Sequence, residues 1–223
     1  MDPDWFPPLD QALREPPGLL AAGGDLRPAR LLAAYERGIF PWYSAQQPIL
    51  WWAPDPRMVL FPEEFKSSRS LKKTLRNGTC QTRVDHAFSD VIRACAAPRR
   101  SGADTWLNAD MIASYEELFS LGFGHSVETY SAGELVGGLY GIQLGQVFFG
   151  ESMFSHRRDA SKVALARLVE ECRGRDIRLI DCQVASTHLA SLGARELPRS
   201  GFVALLRRYA RRAPRGSWAD LSG

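Results

Sequence analysis

Polar side chains of chemical use close two apolar runs in the last half of the chain. Phe148-Phe149-Gly150-Glu151-Ser152 ends one run, and Ile180-Asp181-Cys182-Gln183 ends another. A carboxylate only accepts hydrogen bonds, whereas a carboxamide both donates and accepts, so an acid beside an amide at a strand end can orient a proton donor. Side chains on a strand alternate faces, which puts Asp181 and Gln183 on one face and Cys182 on the other. Cys182 and His188 are the one thiol and imidazole close in sequence, but alternation turns this thiol away from the acid and amide. Glu151 reads either as a carboxylate that binds a cation or takes up a proton, or as part of a structural hydrogen-bond network.

The elements that must hold these groups follow from the pattern around them. Glu134–Gly141 and Gln146–Glu151 are rich in large apolar residues and glycine, with Gln143-Leu144-Gly145 as a tight connection, so they read as a hairpin. The aliphatic run Ile177–Ile180 then delivers Asp181 and Gln183. Upstream, prolines and Gly23-Gly24 break the first quarter into a small irregular lobe, with one helix over Ala29–Arg37 and another after the Trp51–Pro56 corner. Ser67 or Ser68 can cap a helix that stops at Asn77-Gly78, and Thr79–Val84 then alternates like a strand. Further helices are expected over Ala87–Ala97, Ala109–Leu121 with Asn108 as cap, Ala160–Arg173 and Ser200–Arg212, with a strand over Ser126–Tyr130. This order predicts an α+β chain: a small N-terminal lobe over residues 1–57, then a body over 58–223 with a mostly antiparallel sheet flanked by helices.

Charge and aromatic placement suggest a polyanionic partner. Arg69, Lys72, Lys73 and Arg76 follow the i, i+3, i+4, i+7 spacing, so four cations share one helical face with no acid among them. The alternative is a solvated helix face. Arg207, Arg208, Arg211, Arg212 and Arg215 crowd the last helix and its tail, where phosphate contact competes with the favourable placement of cations at a helix C-terminus. Trp42, Trp51, Trp52 and Trp106 lie in proline-rich or loop-like settings; each is either core or a platform for a nucleobase. Leu139, Phe148 and Phe149 line an apolar pocket or belong to ordinary core.

Several chemistries drop out. His125 and Glu128 are three apart on a predicted strand and face opposite sides, and no other His/Cys grouping has metal-ligand spacing. There is no Gly-x-x-x-x-Gly-Lys phosphate loop and no Gly-x-Gly-x-x-Gly fingerprint, so a new bond must draw on an already activated substrate. The formal charge of +3 permits a polyanion without demanding one. Four scattered cysteines, no secretory leader and no apolar run near the roughly 20 residues of a membrane helix place the chain in the cytoplasm.

Longer motifs add to this reading. Gly18-Leu19-Leu20-Ala21-Ala22-Gly23-Gly24-Asp25-Leu26, Arg37–Trp42, Trp51–Arg57, Leu135–Gly141, Gly150–Ser155 and Ile180–Gln183, in this order, resemble the leucyl/phenylalanyl-tRNA–protein transferases from about Pro16 to Phe202. The resemblance implies a body similar to N-acetyltransferases, no cofactor and no metal, and a monomer. It implies transfer of Leu or Phe from aminoacyl-tRNA to proteins beginning with Arg or Lys, marking them for N-degron degradation. By the same resemblance Trp42 and Trp106 hold the terminal adenosine, and Leu139, Phe148, Phe149 and Ser152 form the aminoacyl pocket. Arg69, Lys72, Lys73 and Arg76 then meet tRNA phosphates, and Asp181, Gln183 and Glu151 form the catalytic set. Asp181 is expected to bond the Gln183 side-chain amide, whose carbonyl aligns the incoming amine. The chain departs from the family pattern at Leu139, Ala53 and Asp159, where Met, Ser and Asn are usual. Two rivals remain: a CoA-dependent acyltransferase, for which the Arg/Gln-x-x-Gly-x-Gly/Ala loop is missing, and a non-catalytic RNA-binding module.

Overall fold

A computed structural model gives the fold over residues 5–97 and 107–218. The first segment builds β1 (Leu19–Ala22), α1 (Pro28–Glu36), β2 (Phe40–Pro41) and β3 (Leu50–Trp52), and the three strands pair in the order β1-β3-β2. Proline at the first position of α1 suits a helix start, because its missing N–H has no partner there. Gly38 follows this helix at φ +79°, and a Cβ there would sit 2.9 Å from the Phe202 ring, so both conformation and space call for glycine.

The corner after Trp52 leads into a strand rather than the expected helix. In β4 (Arg57–Leu60) all four residues are buried, because both faces of the sheet are covered here: Val59 enters one core, Met58 and Leu60 the other. Then come α2 (Arg69–Arg76), β5 (Gln81–Val84), α3 (Phe88–Ala96), α4 (Ala109–Ser120), β6 (Gly124–Ser131), β7 (Glu134–Leu144), β8 (Val147–Ser155), α5 (Ala160–Gly174), β9 (Leu179–Gln183), α6 (Thr187–Ser191), β10 (Arg195–Leu197) and α7 (Arg199–Tyr209). Ser68 and Asn108 cap α2 and α4 through their side chains, accepting from the N–H of Leu71 and Met111. The hairpin turn is Gly145-Gln146, two residues later than the sequence suggests, since Leu144 still pairs with Val147.

Among the described residues seven strands form the main sheet in the order β10-β4-β9-β8-β7-β6-β5, and only β8 and β9 run parallel. This is the α+β body with a mostly antiparallel sheet that the pattern predicts. Strand alternation splits the core in two. Tyr140 and Phe149 face α3 and α4, packing with Val91, Ile92, Met111 and Leu118. Leu139 and Phe148 face α5, packing with Val163, Leu165, Leu168 and Val169. Each such aliphatic side chain contributes about 1.5–3 kcal/mol when taken fully out of water, so α5 is held by its packing. Among the described residues no helix is long and apolar enough to cross a membrane.

Candidate active site

The parallel pair defines where a site can form. β8 and β9 pair over Val147↔Leu179, Phe148↔Ile180 and Phe149↔Asp181, and beyond Phe149 they part. A cavity of about 940 Å³ lies at this opening, with Glu151, Ser152, Asp181, Cys182 and Gln183 in its wall. Two bulges aim these residues. On β8, Gly150 and Ser152 oppose Gly141 and Tyr140, which leaves Glu151 as the extra residue. On β9, Asp181 and Gln183 oppose Val59 and Met58, which leaves Cys182 extra. A bulge interrupts the ladder and redirects its side chains.

Glu151 is buried, yet it is closely partnered. Tyr35 donates to its Oε1 at 2.8 Å, Tyr115 donates to its Oε2 at 2.7 Å, and Gln183 Nε2 donates to Oε1 at 2.9 Å. The two phenol oxygens are themselves 2.7 Å apart. With Glu151 ionised, both phenol protons are spent on the carboxylate and none is left for the contact between the tyrosines. A protonated Glu151 supplies the missing third proton, and a closed ring results: Glu151 O–H to Tyr115, Tyr115 to Tyr35, Tyr35 to Glu151. The ring closes only in the protonated form; the ionised form leaves the contact between the phenol oxygens without a proton. Burial pushes the carboxyl up to about 7, against the lowering effect of the bonds from Tyr115 and Tyr35. Burial, reinforced by the charge of Glu151, pushes both tyrosines well above the ordinary phenol range, so they remain donors.

Asp181 is wholly buried and faces a different partner from the one expected. Arg57 binds it side-on, Nε to Oδ1 at 2.8 Å and Nη2 to Oδ2 at 2.6 Å. Asp181 Oδ1 also accepts the backbone N–H of Gln183 at 2.9 Å, and Gln183 adopts the left-handed region at φ +64°. The Gln183 side-chain amide is thus held by Glu151, not by Asp181 as the sequence suggests, because the bulge and left-handed turn break the alternation that the expectation assumed. Since an ionised carboxylate can only accept, Gln183 presents its NH₂ to Glu151 and leaves its carbonyl oxygen without a bond among the described residues. Cys182 also lines the cavity, contrary to simple alternation. Burial raises its thiol strongly, with the charge of Asp181 adding to the effect, so it stays protonated and is a poor nucleophile for that reason.

The rest of the cavity is largely apolar. Leu139 and Ser152 line it, joined by Met153, Leu165, Leu168, Ile180 and Leu189. Phe148 and Phe149 do not line it: both are fully buried, on opposite faces of the sheet, because adjacent strand residues point opposite ways. Trp42 stands half exposed at the mouth with its ring 5.8 Å from that of Trp52, whose indole N–H donates to the Trp42 carbonyl. Trp51, by contrast, is core. Trp106 lies outside the described residues. Arg69, Lys72, Lys73 and Arg76 are all exposed on α2, and none forms an ion pair among the described residues. In the second basic group, Arg211 pairs with Glu36 while Arg208 and Arg212 lie over Tyr209.

Sequence reasoning missed Tyr35, Tyr115 and Arg57. The signal for Arg57 is a cation inside an otherwise apolar strand run; a tyrosine on the buried face of α1 or α4 carries none.

Fold and site together define a mixed α+β protein with a buried, hydrogen-bonded carboxylate at the opening of the one parallel strand pair among the described residues. The chain belongs to the leucyl/phenylalanyl-tRNA protein transferase family: the family model matches residues 59–207, and the model of that family's N-terminal domain matches residues 24–55. A leucyl/phenylalanyl-tRNA–protein transferase of Nitrosomonas europaea is 59% identical over 197 residues, covering 88% of this chain and 84% of its own. One from Stutzerimonas stutzeri is 54% identical over 213 residues, covering 96% and 94%. Solved structures with some similarity include a GCN5-related N-acetyltransferase from Kribbella flavida, 12% identical with a TM-score of 0.39, over 77% of this chain and 61% of that one. The C-terminal domain of a putative lysylphosphatidylglycerol synthetase from Agrobacterium fabrum is 10% identical with a TM-score of 0.43, over 84% and 60%.

Proposed function

We propose that this chain transfers Leu or Phe from aminoacyl-tRNA to the α-amino group of proteins that begin with Arg or Lys. The observation that carries the reading is the Glu151–Gln183 pair in the wall of an apolar cavity. Leu139, Ser152, Met153, Leu165, Leu168 and Ile180 take the aminoacyl side chain, while Trp42 stacks on the terminal adenosine. Trp106 is assigned to the same base by its place in the family pattern. The exposed face Arg69, Lys72, Lys73 and Arg76 meets tRNA phosphates. On this reading residues 1–57 form the adenosine-side lobe and 58–223 the catalytic body, acting as a monomer in the cytoplasm.

An aminoacyl ester is already activated, so the chain's task is to position the amine and handle its proton. The acceptor α-amino group has a reference pKa of about 7.7–8.0 and arrives mostly as ammonium at neutral pH. Glu151, at about 7, takes one proton from it. The Gln183 carbonyl accepts an N–H bond from the resulting amine and aims its lone pair at the ester carbonyl, a positioning effect. The C–N bond forms as the ester C–O bond breaks, and the ribose oxygen leaves with the second proton of the nitrogen. Glu151 returns its proton to solvent.

The test is a transfer assay with Leu-tRNA and Phe-tRNA against peptides beginning with Arg, Lys, Met or Ala, beside the same peptides with labelled acetyl-CoA. Product from charged tRNA on the Arg and Lys peptides supports the reading. Product from acetyl-CoA alone, or tight RNA binding without transfer, overturns it.

A further inference from the structure

Arg57 does not itself line the cavity and has no step above, yet it bonds Asp181 in the cavity wall and is closely held on every side. It is 1% exposed, and Asp181 is 0% exposed. Besides the two bonds to Asp181, its Nη1 donates to the Gly38 carbonyl at 2.9 Å. Its guanidinium carbon lies 4.8 Å from the Phe40 ring centre and 4.7 Å from that of Phe202. Three parts of the fold thus meet on one planar group: the N-terminal lobe through Gly38 and Phe40, the sheet through Asp181, and α7 through Phe202.

For stability alone this is a poor arrangement. The desolvation of a buried ion pair consumes most or all of its attraction, and apolar side chains of the same volume often serve as well. What the pair supplies is a fixed acceptor. Asp181 Oδ1 takes both Arg57 Nε–H and the Gln183 backbone N–H. The latter bond holds Gln183 at φ +64°, a left-handed conformation that non-glycine residues seldom adopt. We propose that Arg57 is a positioning residue for acyl transfer: by locking Asp181 it holds the left-handed turn at Gln183, and with it the aim of the Gln183 carboxamide into the cavity. The inference rests on the transferase reading. It also ties the two ends of the reaction together, since Phe40 stacks on the same guanidinium two residues before Trp42.

Lysine cannot reproduce this. An ammonium is a point donor without a planar face, so it cannot span both carboxylate oxygens while stacked between two rings. The charged and titratable groups around Asp181 are Arg57 on β4, Glu151 on β8 and Cys182 on its own strand, with Tyr35, Tyr115 and Tyr140 beyond Glu151 on α1, α4 and β7. Removing Arg57 altogether leaves a buried carboxylate without its cation, held only by the Gln183 N–H.

The experiment compares the full chain with Arg57→Lys, Arg57→Met and Arg57→Met plus Asp181→Asn, using Leu-tRNA and a peptide beginning with Arg, with thermal melting of each. The expected result for folded Arg57→Lys is a kcat lower by roughly 10–100-fold, as for small misplacements of a reacting group, with KM for Leu-tRNA changed less than about twofold. Arg57→Met is expected to lose at least as much kcat as Arg57→Lys, and the double variant, which removes the buried charge, to regain melting temperature without regaining kcat. If Arg57→Met does not fold, Arg57→Lys and the double variant carry the test. A folded Arg57→Lys with wild-type kcat and wild-type pH profile overturns the inference while leaving the transferase reading intact. A kcat loss that vanishes on correction for the folded fraction does the same. A wild-type chain that transfers nothing removes both.

Discussion

Gln183 and Glu151 face each other at 2.9 Å, amide nitrogen to carboxylate oxygen, although 32 residues separate them in sequence. Each stands at an irregularity, Glu151 as the extra residue of a bulge on β8 and Gln183 in a left-handed conformation just past a bulge on β9. The contact fixes which end of the amide faces the cavity. Oε1 accepts in the ionised form and in the protonated ring alike, so the NH₂ of Gln183 stays toward Glu151 and its carbonyl toward the cavity when Glu151 takes up a proton.

Tyr115→Phe removes one of the two phenol donors that stabilise the Glu151 carboxylate. The expected outcome is a rate that needs a higher pH, with the break in the pH profile of kcat moving up by on the order of one unit. Phenylalanine fills the same space, so the melting temperature should change little. A profile that stays in place would show that this bond does not bear on the ionisation that limits the rate.

Stability should carry the mark of the same carboxyl. The folded-state value of Glu151 lies above its ordinary one, so the folded chain binds a proton more tightly than the unfolded chain does. Below about pH 4.5 both states are protonated and the group is neutral in its effect; as pH rises to about 7 the unfolded state ionises first, and folding loses roughly 3 kcal/mol. Burial raises Glu128 in the same direction. Denaturant melts of wild type and Glu151→Gln should therefore show the variant gaining relative stability across this window. A constant difference between the two would contradict the shift.

Arg69→Ala with Lys73→Ala takes two exposed cations from α2 and leaves its single buried anchor, Leu71, in place. The expected effect is weaker aminoacyl-tRNA binding with a salt slope shallower by roughly 1.4–1.8, and no change in preference between Leu and Phe. Binding measured across a salt series decides this. An unaltered slope removes α2 from the RNA interface.

The parts of the fold that local physics dictates were legible in the chain. The hairpin β7–β8, the caps at Ser68 and Asn108, and the delivery of Asp181 and Gln183 by an aliphatic strand all follow from period and cap chemistry. What escaped is set by distant fit. Nothing near Glu151 or Cys182 announces a bulge, and without the bulges alternation misplaces Cys182 and pairs Asp181 with the wrong part of Gln183. Arg57, Tyr35 and Tyr115 reach the site from β4, α1 and α4, with 124, 116 and 36 residues separating them from their carboxylate partners. The apolar wall is similar: Leu165, Leu168 and Leu189 come from helices that close over the strand pair, whereas Phe148 and Phe149, next to the site in sequence, turn into the two cores.

Single-turnover transfer of labelled Leu from tRNA to a peptide beginning with Arg, followed from about pH 5.5 to 9 with wild type and Glu151→Gln, tests the role of the Glu151–Gln183 pair most directly. The expected wild-type rate rises with pH and breaks near 7, below the range of the acceptor amine, as Glu151 ionises. The variant is expected to keep its fold, lose about 10²–10⁴-fold in rate, and lose the break, in line with removal of a group that accepts the proton. A variant as fast as wild type, with the same break, would contradict the assignment of Glu151 and Gln183 as the pair that prepares the amine.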